Sequence, residues 1–363
     1  MDRPEYPFSS NAIRLGVWEW IFFALIFLGL YIFAPALWGW LSPLHAGTDY
    51  RVPYALSEDY WIYNRYSREM IAQHRILVIG DSVIWGEYVT PSQTLSHHLN
   101  DQEDAARFAN LGVNGIHPLA LEGLLRYYGG PIANQKVILQ CNPLWMSSPR
   151  HDLQVDKEFS FNHPCLVPQF HPRIPGYRAA FPERASIVME RVIPLFGLAR
   201  HFRVACFGGS DMPAWTLDHP NDNPFPLLMK SPPEPEQELR HKPISWVESG
   251  IALQDFPWIE LESSLQWNAF HRTLDMLRKR GNQVFILAGP FNEHLLKGES
   301  KQKYQRMKQG MESRFQEWGS AYCIPEPLPS ELYADASHPL DRGYALLAAR
   351  IHPDPQFQEW KRR

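Results

Sequence analysis

Aliphatic runs of five to seven residues recur along the chain, each cut off by small or polar residues. RILVIG (75–80), RFANLGV (107–113), KVILQC (136–141), QVFILAG (283–289) and AYCIP (321–325) predict strands. Between them, SQTLSHHLND (92–101), HPLALEGLLRYYG (117–129), SSLQWNAFHRTLDMLRKRG (263–281), residues 301–318 and YALLAARI (344–351) carry helical spacing. Strands alternating with helices predict an α/β fold whose parallel sheet is covered on both faces.

The alternation breaks between residues 143 and 260, where many of the chain's 32 prolines fall, which predicts an insertion. Helical spacing returns inside it only near residues 185–205, whose Glu190, Arg191, Arg200 and Arg203 argue against a membrane span. Residues 211–238 read as loop, because proline removes donors and bars regular structure.

Residues 20–41 form a run of 22 without a formal charge, about 33 Å as a helix and enough to cross a bilayer. Trp18 and Trp20 at one end and Trp38 and Trp40 at the other resemble aromatic belts. An uncleaved single-pass anchor is the expectation, with signal cleavage at Ala34-Pro35-Ala36 as the alternative. Arg3 and Arg14 before the span, with only Arg51 close behind it, favour a cytoplasmic N-terminus and an extracytoplasmic domain, periplasmic or at the cell surface. The expected layout is a tail (1–16), an anchor (17–41), a tyrosine-rich juxtamembrane connector (42–73), an α/β domain (74–352) holding the insertion 143–260, and a C-terminal tail (353–363).

Charge changes the picture by exclusion. A net −4 from 35 basic and 39 acidic residues leaves no basic stripe, so no nucleic-acid partner is expected. The clusters Arg278-Lys279-Arg280 and Lys361-Arg362-Arg363 read as solvated helix ends. No cofactor or metal is expected: there is no phosphate-cradling glycine loop and no HExxH, and His97, His98 and His294 lack carboxylates at a recognised spacing. The four cysteines match no zinc pattern, and Cys141 and Cys323 read as small core residues.

The candidate chemistry lies where the strands end. Functional groups of an open parallel sheet collect beyond the strands' carboxyl ends. Ser82 stands there after the first strand, Gly115 after the second and Asn142 after the third. A serine hydroxyl needs a histidine to take its proton and a carboxylate to orient that histidine. Asp335 and His338 supply both in one turn. The backbone N–H groups of Ser82 and Gly115 and the side-chain amide of Asn142 are candidate donors to the resulting oxyanion.

Four blocks in order, GDS (80–82), NLGVNG (110–115), QCN (140–142) and DASH (335–338), resemble the SGNH or GDSL hydrolases. The match covers residues 75–142 and 263–351. The resemblance implies a three-layer α/β/α sandwich with Ser82 as nucleophile, His338 as general base, Asp335 as its orienter, and Ser82, Gly115 and Asn142 as the oxyanion hole. Asp81 is then structural. Gln140 and Pro143 depart from the family, which commonly carries glycine and aspartate there. One anchor, an extracytoplasmic domain and a long insertion look like the membrane-anchored branch that includes the alginate acetylation proteins and the D-alanyl-transfer protein of teichoic acid synthesis.

That branch implies an acyl esterase or O-acyltransferase using an acyl ester donor and a polysaccharide acceptor, beside a membrane-bound O-acyltransferase. A lipase or thioesterase acting on membrane lipids, a lipid in place of the polysaccharide as acceptor, and a non-catalytic SGNH-like glycan-binding or scaffold module remain open. Trp145, Phe161, Trp215 and Trp246 of the insert suit either sugar stacking or packing, and packing is the simpler account.

Overall fold

Burial on both faces accounts for the first four strands, because every residue of the first two is buried and only the first residue of the third and fourth is not, whereas the short fifth is half-buried throughout. The computed structural model describes residues 15–41, 44, 46–156, 161–228 and 237–363. Five strands, β1 (Ile76–Gly80), β2 (Phe108–Gly112), β3 (Lys136–Cys141), β4 (Gln283–Ala288) and β5 (Ala321–Cys323), make one parallel sheet in the order β2-β1-β3-β4-β5. Among the described residues the helices are α1 (Val17–Leu41), α2 (Tyr60–Ala72), α3 (Ser82–Trp85), α4 (Leu95–Asn100), α5 (Pro118–Tyr127), α6 (Phe181–Val192), α7 (Pro194–Ala205), α8 (Met212–Asp218), α9 (Phe225–Leu228), α10 (Leu265–Lys279), α11 (Gly298–Glu317), α12 (Asp341–Ile351) and α13 (Pro355–Arg362).

Side chains alternate across the sheet, as a two-residue period demands. Leu77, Ile79, Val137, Leu139 and Ile286 face a core built with α2, α5, α10 and α11. Ile76, Val78, Ile138, Phe285 and Leu287 face a second core built with α3, α4, α12 and α13. The result is three layers, with α1 and α6–α9 outside them.

Two segments expected at the margins belong to the core. In the connector, Tyr60, Tyr63 and Tyr66 recur every third residue on one side of α2 and are buried, together with Ile62 and Met70. The C-terminal tail contains α13, started by Asp354 and seated on the sheet through buried Phe357 and Trp360. The tail escaped prediction because its apolar residues number two.

The insertion also carries more structure than expected. The helical stretch near residues 185–205 is two helices divided at Ile193-Pro194, and α8 and α9 interrupt the predicted loop; its residues 229–236 lie outside the described residues. Proline opens α8 at its first turn, where a missing N–H costs nothing, and the Asp211 side chain accepts from Ala214. The basic clusters do end helices and leave Lys279, Arg362 and Arg363 exposed, but their other three members are tied down. Arg278 donates to the Trp318 carbonyl, Arg280 to those of Leu125 and Gly129, and Lys361 pairs with Glu103.

The helix α1 is long and apolar enough to cross a membrane, and none of its residues is buried in the protein. Arg3 and Arg14 lie outside the described residues. Arg51 is buried, its guanidinium donating to the carbonyls of Trp85 and Gly86, so it is a structural charge.

Phe357→Ala should lower the free energy of unfolding by about 3–5 kcal/mol, since the ring is fully buried between Phe108 and Phe285. A urea titration checks it, and an unchanged midpoint would mean that α13 is not part of the folded core.

Candidate active site

Register positions the site before any side chain does. Ile79 pairs with Leu139 in the parallel β1–β3 ladder, and carrying that offset three places on sets Ser82 opposite Asn142. Gly80 pairs with Gly112, which brings the turn containing Gly115 to the same end of the sheet. The order 2-1-3-4-5 reverses direction between β1 and β3, where doubly wound sheets open a crevice.

The sharp turn after β1 depends on Gly80. A Cβ there would lie 2.3 Å from Gln140 Oε1, which accepts the Asp81 N–H at 3.1 Å. Gln140, where the resemblance led to an expected glycine, therefore braces the turn that carries Ser82. Asp81 then caps α3, accepting from Val83 N–H at 2.9 Å. Its other oxygen accepts from Asn142 Nδ2 at 2.8 Å and from Trp145 Nε1 at 2.7 Å. Pro143, the second departure, opens the 3₁₀ turn Pro143–Met146, whose Leu144 N–H donates to Asn142 Oδ1. Both ends of the Asn142 amide are thus fixed.

Ser82, His338 and Asp335 come together across 256 positions of chain. Ser82 Oγ lies 2.8 Å from His338 Nε2, and His338 Nδ1 lies 2.8 Å from both oxygens of Asp335. The loop fixes Asp335 further, since Oδ1 accepts the N–H groups of Ser337 and His338. Asn292 Nδ2 donates to the Asp335 carbonyl. Burial pushes the Asp335 carboxyl up, but the charge and hydrogen bonds of His338 with the two N–H donors outweigh it and hold it at about 2. For His338, burial pushes down while Asp335, and then Asp81 and Glu87, push up, leaving the imidazole at about 9.

The oxyanion candidates fare differently. Neither backbone N–H, of Ser82 or of Gly115, donates to another described residue. Gly115 has φ +68°, and a Cβ there would meet Asn162 Nδ2 at 2.8 Å, so the position requires glycine. Asn142 spends one N–H on Asp81, and its other N–H donates to no described residue.

The sequence reading missed the wall that the insertion and the α3 exit build. Asn162 donates to the Gly115 carbonyl at 3.0 Å, and His163 Nε2 lies 2.8 Å from the Asn114 carbonyl. The Tyr88 ring lies tilted against both His338 and His241, with ring centroids 5.6 and 5.3 Å away. Burial, followed by the charge of Asp335, pushes that phenol well up, so it stays a donor. Glu87 collects Asn114, His241 at 2.9 Å and Arg240 at 3.8 Å. Glu87 and Tyr88 follow the GDS block so closely that their position alone was a usable signal.

The aromatic residues of the insert mostly pack. Trp145 serves Asp81, Phe161 lies against His117 and Tyr177, Trp215 stacks on His219, and Trp246 is buried with its N–H on Ser330. His97 meets Asp49 and His98 meets Asp341 in space, partners that no sequence spacing announced. Among the described residues no group of three or more His, Cys, Asp or Glu could hold a metal ion. Cys141 is buried and Cys323 half-buried; burial pushes both thiols up, Cys323 to about 12, so neither is an activated nucleophile.

No protein-family model matches the chain, and no curated protein matches it either.

Asp81→Asn should destabilise the protein by roughly 1.5–3 kcal/mol, because an amide cannot accept from three donors as a carboxylate does. Denaturant unfolding reads the loss, and a neutral result would remove Asp81 as the organiser of the strand ends.

Proposed function

We propose that the chain is a serine acyl esterase or O-acyltransferase of the SGNH hydrolase kind, held at a membrane by α1. The observation that carries this reading is the continuous relay from Asp335 through His338 to Ser82 at the crevice of a 2-1-3-4-5 sheet. The three-layer arrangement and the four ordered blocks support it, and the substrate class follows from the resemblance alone.

In the proposed reaction Ser82 Oγ attacks an ester carbonyl and its proton passes to His338 Nε2. The oxyanion is held by the N–H groups of Ser82 and Gly115 and by the remaining N–H of Asn142. His338 then protonates the leaving alkoxide, the carbon–oxygen bond breaks, and an acyl-Ser82 ester remains. Water as second acceptor gives an esterase, and a polysaccharide hydroxyl gives a transferase, through the same steps in reverse order. Acetyl esters of cell-envelope polysaccharide are the proposed substrates. A membrane-bound O-acyltransferase is the proposed partner, and the catalytic domain is proposed to lie outside the cytoplasm.

A fluorophosphonate should label detergent-extracted protein on Ser82 alone and leave Ser82→Ala unlabelled. Asn142→Ala should slow acylation by on the order of 10²–10³ as one oxyanion donor is lost. Absence of label on folded protein would favour a non-catalytic module instead.

The pH dependence follows from His338. Only the neutral imidazole accepts the serine proton, so the acylation rate should rise with pH and level off above about 9. Asp335→Asn removes the largest interaction that raises His338 and leaves the burial that lowers it, so the limb should move to lower pH as the plateau falls by up to about 10⁴. A limb that stays in place would show that Asp335 does not set the protonation of His338.

A further inference from the structure

The insert helices meet the membrane-crossing candidate at one defined height. Trp38, one turn before the end of α1, packs edge-on against Phe202 of α7 with ring centroids 4.8 Å apart. Trp18 and Trp38 are 20 positions apart, about 30 Å along a helix, which is the thickness of a hydrocarbon core. With α1 spanning a bilayer, Trp38 sits at its boundary, and Phe202 sits there with it.

The insert helices beside Phe202 expose large apolar side chains. Val192, Phe196, Leu217 and Phe225 are exposed, between 40 and 82%. Met189, Phe196, Phe202, Phe207 and Met212 line a cavity of about 510 Å³ between α6, α7 and the start of α8, with Arg203 at its wall. Of the four arginines on α6 and α7, three are committed. Arg184 donates to the carbonyls of Ala179 and Tyr177, Arg191 to those of Cys165 and Val167, and Arg200 pairs with Glu58 and Glu190. Arg203 has no partner among the described residues, and Asp211, its neighbour in the cavity wall, is occupied in capping α8.

We propose that α6–α8 form a platform lying in the outer part of the leaflet at the C-terminal end of α1, and that the cavity takes the acyl chain of a phospholipid whose phosphate meets Arg203. An aromatic-lined cavity open at bilayer depth fills with the solvent present there, which is lipid. An unpaired guanidinium at its wall is suited to the phosphate just above the chain region. The proposal rests on reading α1 as a span.

The test uses the full chain in nanodiscs of phosphatidylglycerol and phosphatidylethanolamine, doped with a phospholipid bearing a diazirine in its acyl chain. After illumination and trypsin, the fragments 15–51, 192–200 and 204–230 report on α1, α7 and α8 with α9 respectively. Label is expected on all three. Phe196→Gln, at an exposed position that tolerates polarity, should lower label on 192–200 and 204–230 about tenfold, the loss of one aromatic contact to the bound acyl chain, and leave 15–51 as the unchanged internal standard. Label confined to 15–51 overturns the platform and leaves the anchor standing. Label on no fragment overturns both. Label on the insert that Phe196→Gln does not reduce overturns the cavity as the lipid's seat.

Discussion

The Asp81 carboxylate organises everything at the open end of the sheet. It joins three segments that the backbone alone would leave independent: the first turn of α3, the residue after β3 and the first turn of the insertion. A buried carboxylate is costly unless its lone pairs are met, and here three donors meet them. Because the donors come from different strand ends, satisfying the charge also fixes the spacing between Ser82 and the Asn142 amide. Gln140 secures the same turn from below through the Asp81 N–H, in space that Gly80 leaves open.

The electrostatics around His338 have two faces. Asp335, Asp81 and Glu87 all stabilise the imidazolium, which is the state that forms when Ser82 is deprotonated in the proposed reaction. The same carboxylates keep His338 protonated in the resting protein near neutral pH, when it cannot act as base. Glu87 is itself engaged by Asn114, His241 and Arg240. The second half of the insertion therefore bears on how strongly Glu87 acts on the imidazole, and the insertion is electrically part of the site.

The sheet and the relay were legible because their signals are local. A strand buried on both faces reads as an unbroken aliphatic run, and a functional residue at its end reads as the polar residue that stops the run. Ser82, Gly115 and Asn142 each follow such a run, and Asp335 and His338 share one turn. Trp145, Asn162, His163 and His241 were illegible as site components because nothing local distinguishes an insert residue that reaches the crevice from one that packs within the cap. Trp246, for example, is an insert tryptophan like Trp145, yet it is bound to Ser330. The aromatic connector misled for a related reason: tyrosines at every third position suit an exposed amphipathic segment and a buried helix equally, and only the sheet lying beside α2 decides.

Burial of α2 also determines how the crevice stands relative to α1. Helix α7 touches α1 through Phe202 and is tied to the domain by the buried pair of His201 and Asp59, 2.6 Å apart, and by Arg200 on Glu58. Asp59 caps α2, and the next residue, Tyr60, bonds His163, whose other nitrogen reaches the Asn114 carbonyl beside Gly115. Apart from the exposed Glu58, every link in that chain joins buried or half-buried groups, so described contacts run from the apolar helix through α7 and α2 to the turn that holds Gly115. A domain free to swing on a linker would sample acceptors at any distance from a bilayer. With α1 in a bilayer as proposed, a domain mounted through α7 and α2 would hold Ser82 at a single height, which would suit the proposed acceptor if it is presented at that same height.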